Sequence, residues 1–412
     1  MTDDRALTDE PDRSADDPAP IPLTEPVDGI PDVVDTEHGL DAAAAAISAG
    51  VGPVGLDAER ASGYRYGQRA YLVQLRREGA GTWLIDPMGC PDLAPVNEAI
   101  GAAEWILHAA TQDLACLAEV GLRPKALFDT ELAARLLGLP RVGLAAVVEH
   151  YLGLALAKEH SAADWSRRPL PEPWLRYAAL DVEVLVDLRN LMGVDLAAQG
   201  KAEWARQEFE ALLAWAPTTR IDPWRRTAGL HRFRAPRDLA VVRELWWERE
   251  RIARDRDVSP TRVVPDAALL AVAEARPRDL EELPQTLKAL ARNGRQWVAA
   301  VDRAMSLPPD QLPPSSRPHD GPPPARAWRE KNPEAADRLL AVRALIGEFA
   351  AAHTVPIENV CSPDPLRRVV WQPPADTSVE SFTEALLALG VRRWQAVIVA
   401  PALHKAFVTP PA

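Results

Sequence analysis

Asp57 and Glu59 stand two apart in VGLDAER, Asp113 ends the segment LHAATQD, and Tyr177 precedes Asp181 by four positions in LRYAALDVEVL. Each carboxylate lies at the edge of an apolar run, where an ionised group is costly. Residues two apart on a strand face one side, so Asp57 and Glu59 point together. Residues four apart on a helix share a face, which pairs Tyr177 with Asp181. Asp113 falls at the start of a helix just beyond an apolar strand. Four carboxylates and a phenol gathered at one spot cannot all stay ionised without cations. Two Mg²⁺ or Mn²⁺ ions, about 3.5–4 Å apart, would neutralise them and suit in-line attack on a phosphodiester. Each residue alone has a plainer reading: a solvated strand face, a helix cap at Asp113, and an ordinary helical Tyr–Asp pair.

The elements that must position these groups are legible from periodicity. A helix in LDAAAAAIS leads to a strand in GPVGLDAE, and RAYLVQLRR and GTWLIDP follow as strands at spacings that favour antiparallel neighbours. EWILHAA and KALFDT are further short strands around a helix through Val120. DTELAARLLG, GLAAVVEHYLG and PEPWLRYAALDVEVLVDLRNLM carry helical periods. Strands first, then strands alternating with helices, predict an α/β domain with a mixed sheet over residues 39–217.

The chain of 412 residues carries a net charge of -12, but twelve acids against two arginines in residues 1–40 account for -10 of it. Residues 1–38, rich in Asp and Pro, are expected to be a disordered acidic tail. Between Arg220 and Arg262, twelve arginines face seven acids, a local +5 compatible with a polyanionic partner. No apolar run reaches the length of about 18 residues that spans a membrane, and no basic-then-apolar leader is present. Cys90, Cys116 and Cys361 show no metal or redox spacing and read as buried thiols of a cytoplasmic protein. No membrane association is expected, and the chain is expected to act as a monomer.

Beyond Pro217 the pattern is helical, with residues 218–306 and 326–412 forming two modules around a stiff proline-rich linker at 307–325. The modules look like one unit repeated at a spacing of 97 residues. Val258 matches Val355, Val263 matches Val360, Leu269 matches Leu366, and Trp297 matches Trp394.

The order D-x-E, then H-A-x-x-x-D-L, then Y-x-x-x-D resembles the DEDD exonuclease superfamily in its tyrosine branch. LIDPMG, FDTELAARLLG, ADWSRRPL and YAALDVEVL are similar to the ribonuclease D family in the same order, and WWERERIARDRDVSPTRVVPDAALLAVA resembles its helicase-and-RNase-D C-terminal (HRDC) domain. The resemblance implies a ribonuclease H-like exonuclease domain with a mixed sheet, followed by two all-α HRDC-like domains. It implies Asp57, Glu59 and Asp181 as ligands of one metal ion, with Asp57 bridging to a second and Asp113 contributing through water. Tyr177 would orient the attacking water, and nucleoside 5′-monophosphates would leave an RNA 3′ end, tRNA precursors being one substrate class.

Around this set, His108 and Gln112 are candidates for the terminal nucleotide, and Arg167 and Arg168 for phosphates. One of these two arginines is also placed to pair with an acid. Asp129 reads as a helix cap. Trp165 and Trp174 read as base-stacking or packing residues. In the arginine belt, Arg249 and Arg254 are the candidates for nucleic acid, with the catalytic domain as the alternative partner of this face and Glu244, Glu248 and Glu250 interleaved as internal partners. DNA as the substrate, and a non-catalytic RNA-binding scaffold, stay open as alternatives. Matched RNA and DNA oligonucleotides separate the first, and Mn²⁺ calorimetry the second.

Overall fold

The computed structural model describes residues 19–157, 160, 162–218, 220–283, 293–316 and 321–408. Strands β1 (Ile21–Leu23) and β2 (Val33–Val34) precede helix α1 (Glu37–Ala49). Next come β3 (Val51–Arg60), β4 (Ala70–Glu78), β5 (Gly81–Ile85) and α2 (Ala94–Ile100). After β6 (Trp105–Leu107), α3 (Leu114–Glu119), β7 (Leu127–Asp129), α4 (Thr130–Leu137), α5 (Leu144–Leu152) and β8 (Leu154–Leu156), the domain closes with α6 (Glu172–Glu183), α7 (Leu185–Ala198) and α8 (Ala202–Leu213).

The main sheet runs β2-β5-β4-β3-β6-β7, antiparallel at β3–β4 and β4–β5 and parallel elsewhere, so it is mixed as expected. Central strand β3 sends Val54, Leu56 and Ala58 into a core shared with α1, α2 and α3. Alternation then turns Gly55, Asp57 and Glu59 to the opposite face, which α6 and α7 cover. A Cβ on Gly55 would lie 3.0 Å from the Val182 carbonyl oxygen and 3.1 Å from the Leu185 Cβ. The bare glycine lets the α6–α7 junction come down onto the sheet two residues before Asp57. The long helix expected across Asp181 is in fact two, since the chain bends at Val184 as it crosses this face.

Two corrections concern the first 38 residues. Residues 1–18 lie outside the described set, but β1 pairs with β8 in register Ile21–Leu154, and β2 extends the main sheet beside β5. Glu25 bonds Arg176 at 3.0 Å and Asp28 bonds Arg76 at 2.8 Å, so acids read as tail are paired with the folded domain. The composition hid this because two- and three-residue strands carry no periodicity of their own.

The first helical module comprises α9 (Pro236–Asp255), α10 (Pro260–Val263), α11 (Asp266–Ala275) and α12 (Gly294–Ser306). The second comprises α13 (Trp328–Lys331), α14 (Pro333–Ala352), α15 (Ile357–Val360), α16 (Pro363–Trp371), α17 (Val379–Ala388) and α18 (Arg393–Val408). The repeat is real at backbone level. α9 and α14 are both 20 residues long, and two positions beyond each lies a left-handed residue, Asp257 (φ 48°) and Thr354 (φ 51°). Matched residues Val263 and Val360, Leu269 and Leu366, and Trp297 and Trp394 are all buried.

The second module is continuous with the catalytic unit. Trp394 stacks on Trp204 of α8 with centroids 4.7 Å apart, and its indole N–H donates to Glu208 at 2.9 Å. One apolar core runs from Phe128 and Leu185 through Trp328 to Leu403. All three cysteines are buried free thiols. Among the described residues, no helix is long and apolar enough to cross a membrane.

Candidate active site

Strand β3 supplies Asp57 and Glu59, α6 supplies Tyr177 and Asp181, and the turn after β6 supplies Asp113. Ligand oxygens of Asp57, Glu59 and Asp181 lie within 4.8 Å of one another. Asp113 joins them across a cleft of about 240 Å³ that is also lined by Arg60, His108, Gln112 and Tyr177. Glu59, Asp113 and Asp181 are buried. All five residues singled out by spacing therefore meet at one place.

That crowding has an electrostatic signature. Burial, then the Asp57, Asp181 and Asp113 charges, pushes Glu59 well above the ordinary carboxylate range. Burial and Asp57 raise Asp113 and Asp181 in the same way. Asp57 is raised by burial, partly offset by the Ala58 N–H at 2.9 Å and the Gln74 side-chain amide at 3.0 Å. The side-chain contact between Asp57 and Asp113 lowers the pKa of the first and raises that of the second. Tyr177 donates its hydroxyl to Asp181, and burial with the surrounding carboxylates drives its pKa far up. A set of crowded, buried carboxylate oxygens matches a hard divalent cation in donor type and spacing.

Asp113 does not cap α3, so its carboxylate is free to face the cleft. Its turn is held by Asp129, which accepts from Glu131 N at 2.9 Å and Leu132 N at 3.1 Å as the cap of α4. The same carboxylate also accepts from Ala109 N at 3.1 Å and Ala110 N at 2.8 Å. Ala109 adopts φ 57° there, so Asp129 pins the left-handed corner that carries the chain from β6 to Asp113. The helix-cap reading of Asp129 was right but incomplete.

Arg60 was not foreseen. Strict alternation puts it on the face opposite Glu59, but the β3–β4 register shifts between these two residues, and such a bulge re-aims a side chain. Its guanidinium sits 3.5 Å from Asp113 and donates to the Gln112 carbonyl at 2.8 Å. His108 lines the cleft, yet its Nδ1 is engaged with Thr130 Oγ1 at 2.8 Å, and burial lowers its pKa to about 4. The ring is therefore neutral, and among the residues lining the cleft Arg60 is the fixed cation. Gln112 is exposed at the rim.

Several expected contacts belong to the fold instead. Arg168 forms a two-pronged ion pair with buried Asp86 at 2.5 Å and also donates to the carbonyls of Trp165, Arg167 and Tyr71, so no donor is left for phosphate. Arg167 is exposed. Arg249 is buried against Asp266 at 2.6 Å, and Arg254 bonds the Tyr66 hydroxyl of the catalytic domain at 3.2 Å. Sequence could not reveal these partners because each pairing joins distant segments. Trp165 is fully buried and packs on Trp174 and Tyr177 at 5.3 and 6.4 Å, supporting the tyrosine rather than stacking on bases.

Residues 31–197 match the 3′–5′ exonuclease family, residues 238–301 the HRDC domain, and residues 321–407 the 3′ to 5′ exonuclease C-terminal domain. With D-x-E on the central strand and Y-x-x-x-D on the helix across it, the catalytic unit is a DEDD-type exonuclease of the tyrosine branch. A ribonuclease D from Nitrobacter hamburgensis is 32% identical over 69% of this chain and 75% of its own length. The chain belongs to the ribonuclease D family. A Bifidobacterium adolescentis protein of known structure superposes with a TM-score of 0.86 at 37% identity, covering 95% of this chain and all (100%) of its own. Escherichia coli RNase D superposes with a TM-score of 0.67 at 28% identity, covering 92% of this chain and 99% of its own.

Proposed function

We propose that the protein is a two-metal 3′→5′ exoribonuclease that trims the 3′ ends of structured RNAs, tRNA precursors among them, and releases nucleoside 5′-monophosphates. The observation that carries this reading is the meeting of Asp57, Glu59 and Asp181 within 4.8 Å, with Asp113 and Tyr177 on the same cleft. Escherichia coli RNase D is described as an exoribonuclease involved in structured RNA processing, which supports the substrate class.

Asp57, Glu59 and Asp181 would hold one Mg²⁺ or Mn²⁺, and Asp57 with Asp113 would face the second. Such ions supply a nucleophilic water at neutral pH and a Lewis acid for the leaving 3′ oxygen. Tyr177 stays protonated because burial and the carboxylates raise its pKa, so it orients a water by hydrogen bonding instead of removing a proton. Gln112 and His108 face the terminal nucleotide, and the exposed Arg167 stands as a phosphate contact.

A 5′-labelled RNA incubated with Mg²⁺ or Mn²⁺ tests this reading. Stepwise shortening from the 3′ end, lost in Asp57→Asn and in Asp181→Asn, is the expected result. Activity surviving either change would overturn it, and faster digestion of a matched DNA would reassign the substrate.

A further inference from the structure

We propose that the first HRDC module positions Glu59 and Tyr177 by clamping the loop between β3 and β4, and so contributes to hydrolysis itself as well as to any grip on RNA. This rests on the exonuclease reading above. The loop, residues 61–69, begins directly after Glu59 and Arg60, and the turn between α9 and α10 holds it from both sides. Ser259 N donates to the Tyr64 carbonyl at 2.9 Å, and Arg262 donates to the Gly63 carbonyl at 2.8 Å while its guanidinium lies 4.2 Å from the Tyr64 ring centre. Asp257 pairs with Arg65 at 3.4 Å and accepts from Tyr66 N at 3.4 Å. Tyr66 packs against the module's apolar core, its ring under Arg254 at 5.4 Å.

The other side of the loop leads to the tyrosine. Arg65 donates to Ser166 Oγ at 2.8 Å, next to Trp165. Trp165, Ala61 and Tyr71 form one buried cluster with Ala178 and Ala179 of α6, and Tyr64, Trp174 and Tyr177 pack against it. A shift of the loop therefore moves the end of β3 at Glu59 and the floor beneath Tyr177 together. Misplacing a catalytic group by about 1 Å can cost on the order of a hundredfold in rate. Arg254 of α9 and Arg262 of α10 spend donors on this loop, which accounts for part of the arginine belt without RNA.

Arg262 and Asp257 are exposed, so Arg262→Ala and Asp257→Asn leave the core of the module intact. The full-length variants are tested on a 5′-labelled RNA dinucleotide, too short to engage a distant binding surface, and on a long structured RNA. For both variants kcat on the dinucleotide is expected to fall about tenfold with KM held, and Arg262→Lys, which keeps a donor for the Gly63 carbonyl, recovers part of the loss. Dinucleotide kcat equal to the parent's in both variants, with only long-RNA KM raised, would overturn the proposal. So would a loss of kcat matched by unfolding of the catalytic domain in circular dichroism. A parent inactive on both RNAs would instead overturn the exonuclease reading.

Discussion

Neutralising Asp181 is expected to stabilise the metal-free protein while removing its activity. The carboxyl is buried, and burial together with the Asp57 charge holds its pKa well above the usual range. Ligand oxygens in this cluster lie within 4.8 Å, a separation at which Coulomb's law with an effective dielectric of about 20 gives ~3.5 kcal/mol per ionised pair. Protonation relieves part of that repulsion, so it is a ceiling. Asp181→Asn keeps the shape and an acceptor for the Tyr177 hydroxyl. A gain of about 2 kcal/mol, or roughly 4–8 °C in Tm, follows for a domain of this size. The pH dependence has a definite sign. With the folded pKa above the unfolded one (about 3.9), the native state binds more protons between them, so the parent loses stability as pH rises through that window. The advantage of Asn is therefore small near pH 4 and larger near pH 8. Calorimetric scans in EDTA at those two pH values measure it. Mn²⁺ reverses the order by binding the parent's native site more tightly. A variant less stable than the parent near pH 8 in EDTA would refute the idea that these carboxylates repel one another.

Three other perturbations separate fold from chemistry. Arg168→Ala leaves Asp86 without its guanidinium and costs about 3 kcal/mol in urea unfolding, while RNA affinity in gel shift stays at the parent's level. Arg60→Gln removes the fixed cation of the cleft, and Mn²⁺ binding measured by calorimetry tightens about tenfold at low ionic strength; weaker binding would show that holding Asp113 is its larger role. Trp394→Ala removes the stack on Trp204 and the donor to Glu208 and costs about 3–5 kcal/mol, read as a lower Tm and as faster proteolysis between the catalytic unit and the second module.

What was legible in the sequence was what periodicity encodes. Alternation placed Asp57 and Glu59 on one face, helical spacing paired Tyr177 with Asp181, and the 97-residue repeat pairs α9, α10, α11 and α12 with α14, α15, α16 and α18. What was hidden depends on partners far along the chain. β1 and β2 are too short to show a pattern and form only because β8 and β5 offer edges to pair with. Arg60 reaches Asp113 because a register shift overrides alternation. Arg168 and Asp86 are 82 positions apart, and nothing local marks a guanidinium as already taken. The arginine belt stayed ambiguous for the same reason, since Arg249 and Arg254 look alike in sequence, yet one is buried beside Asp266 and the other reaches across to Tyr66 of the catalytic domain.

Titrating Mn²⁺ into the metal-free protein by calorimetry tests most directly whether the buried carboxylates exist to hold divalent ions. Binding of two ions per chain is expected, with Asp57→Asn, which alters the residue facing both, losing at least one. No binding at millimolar Mn²⁺, or a parent and an Asp57→Asn variant that bind alike, would contradict it.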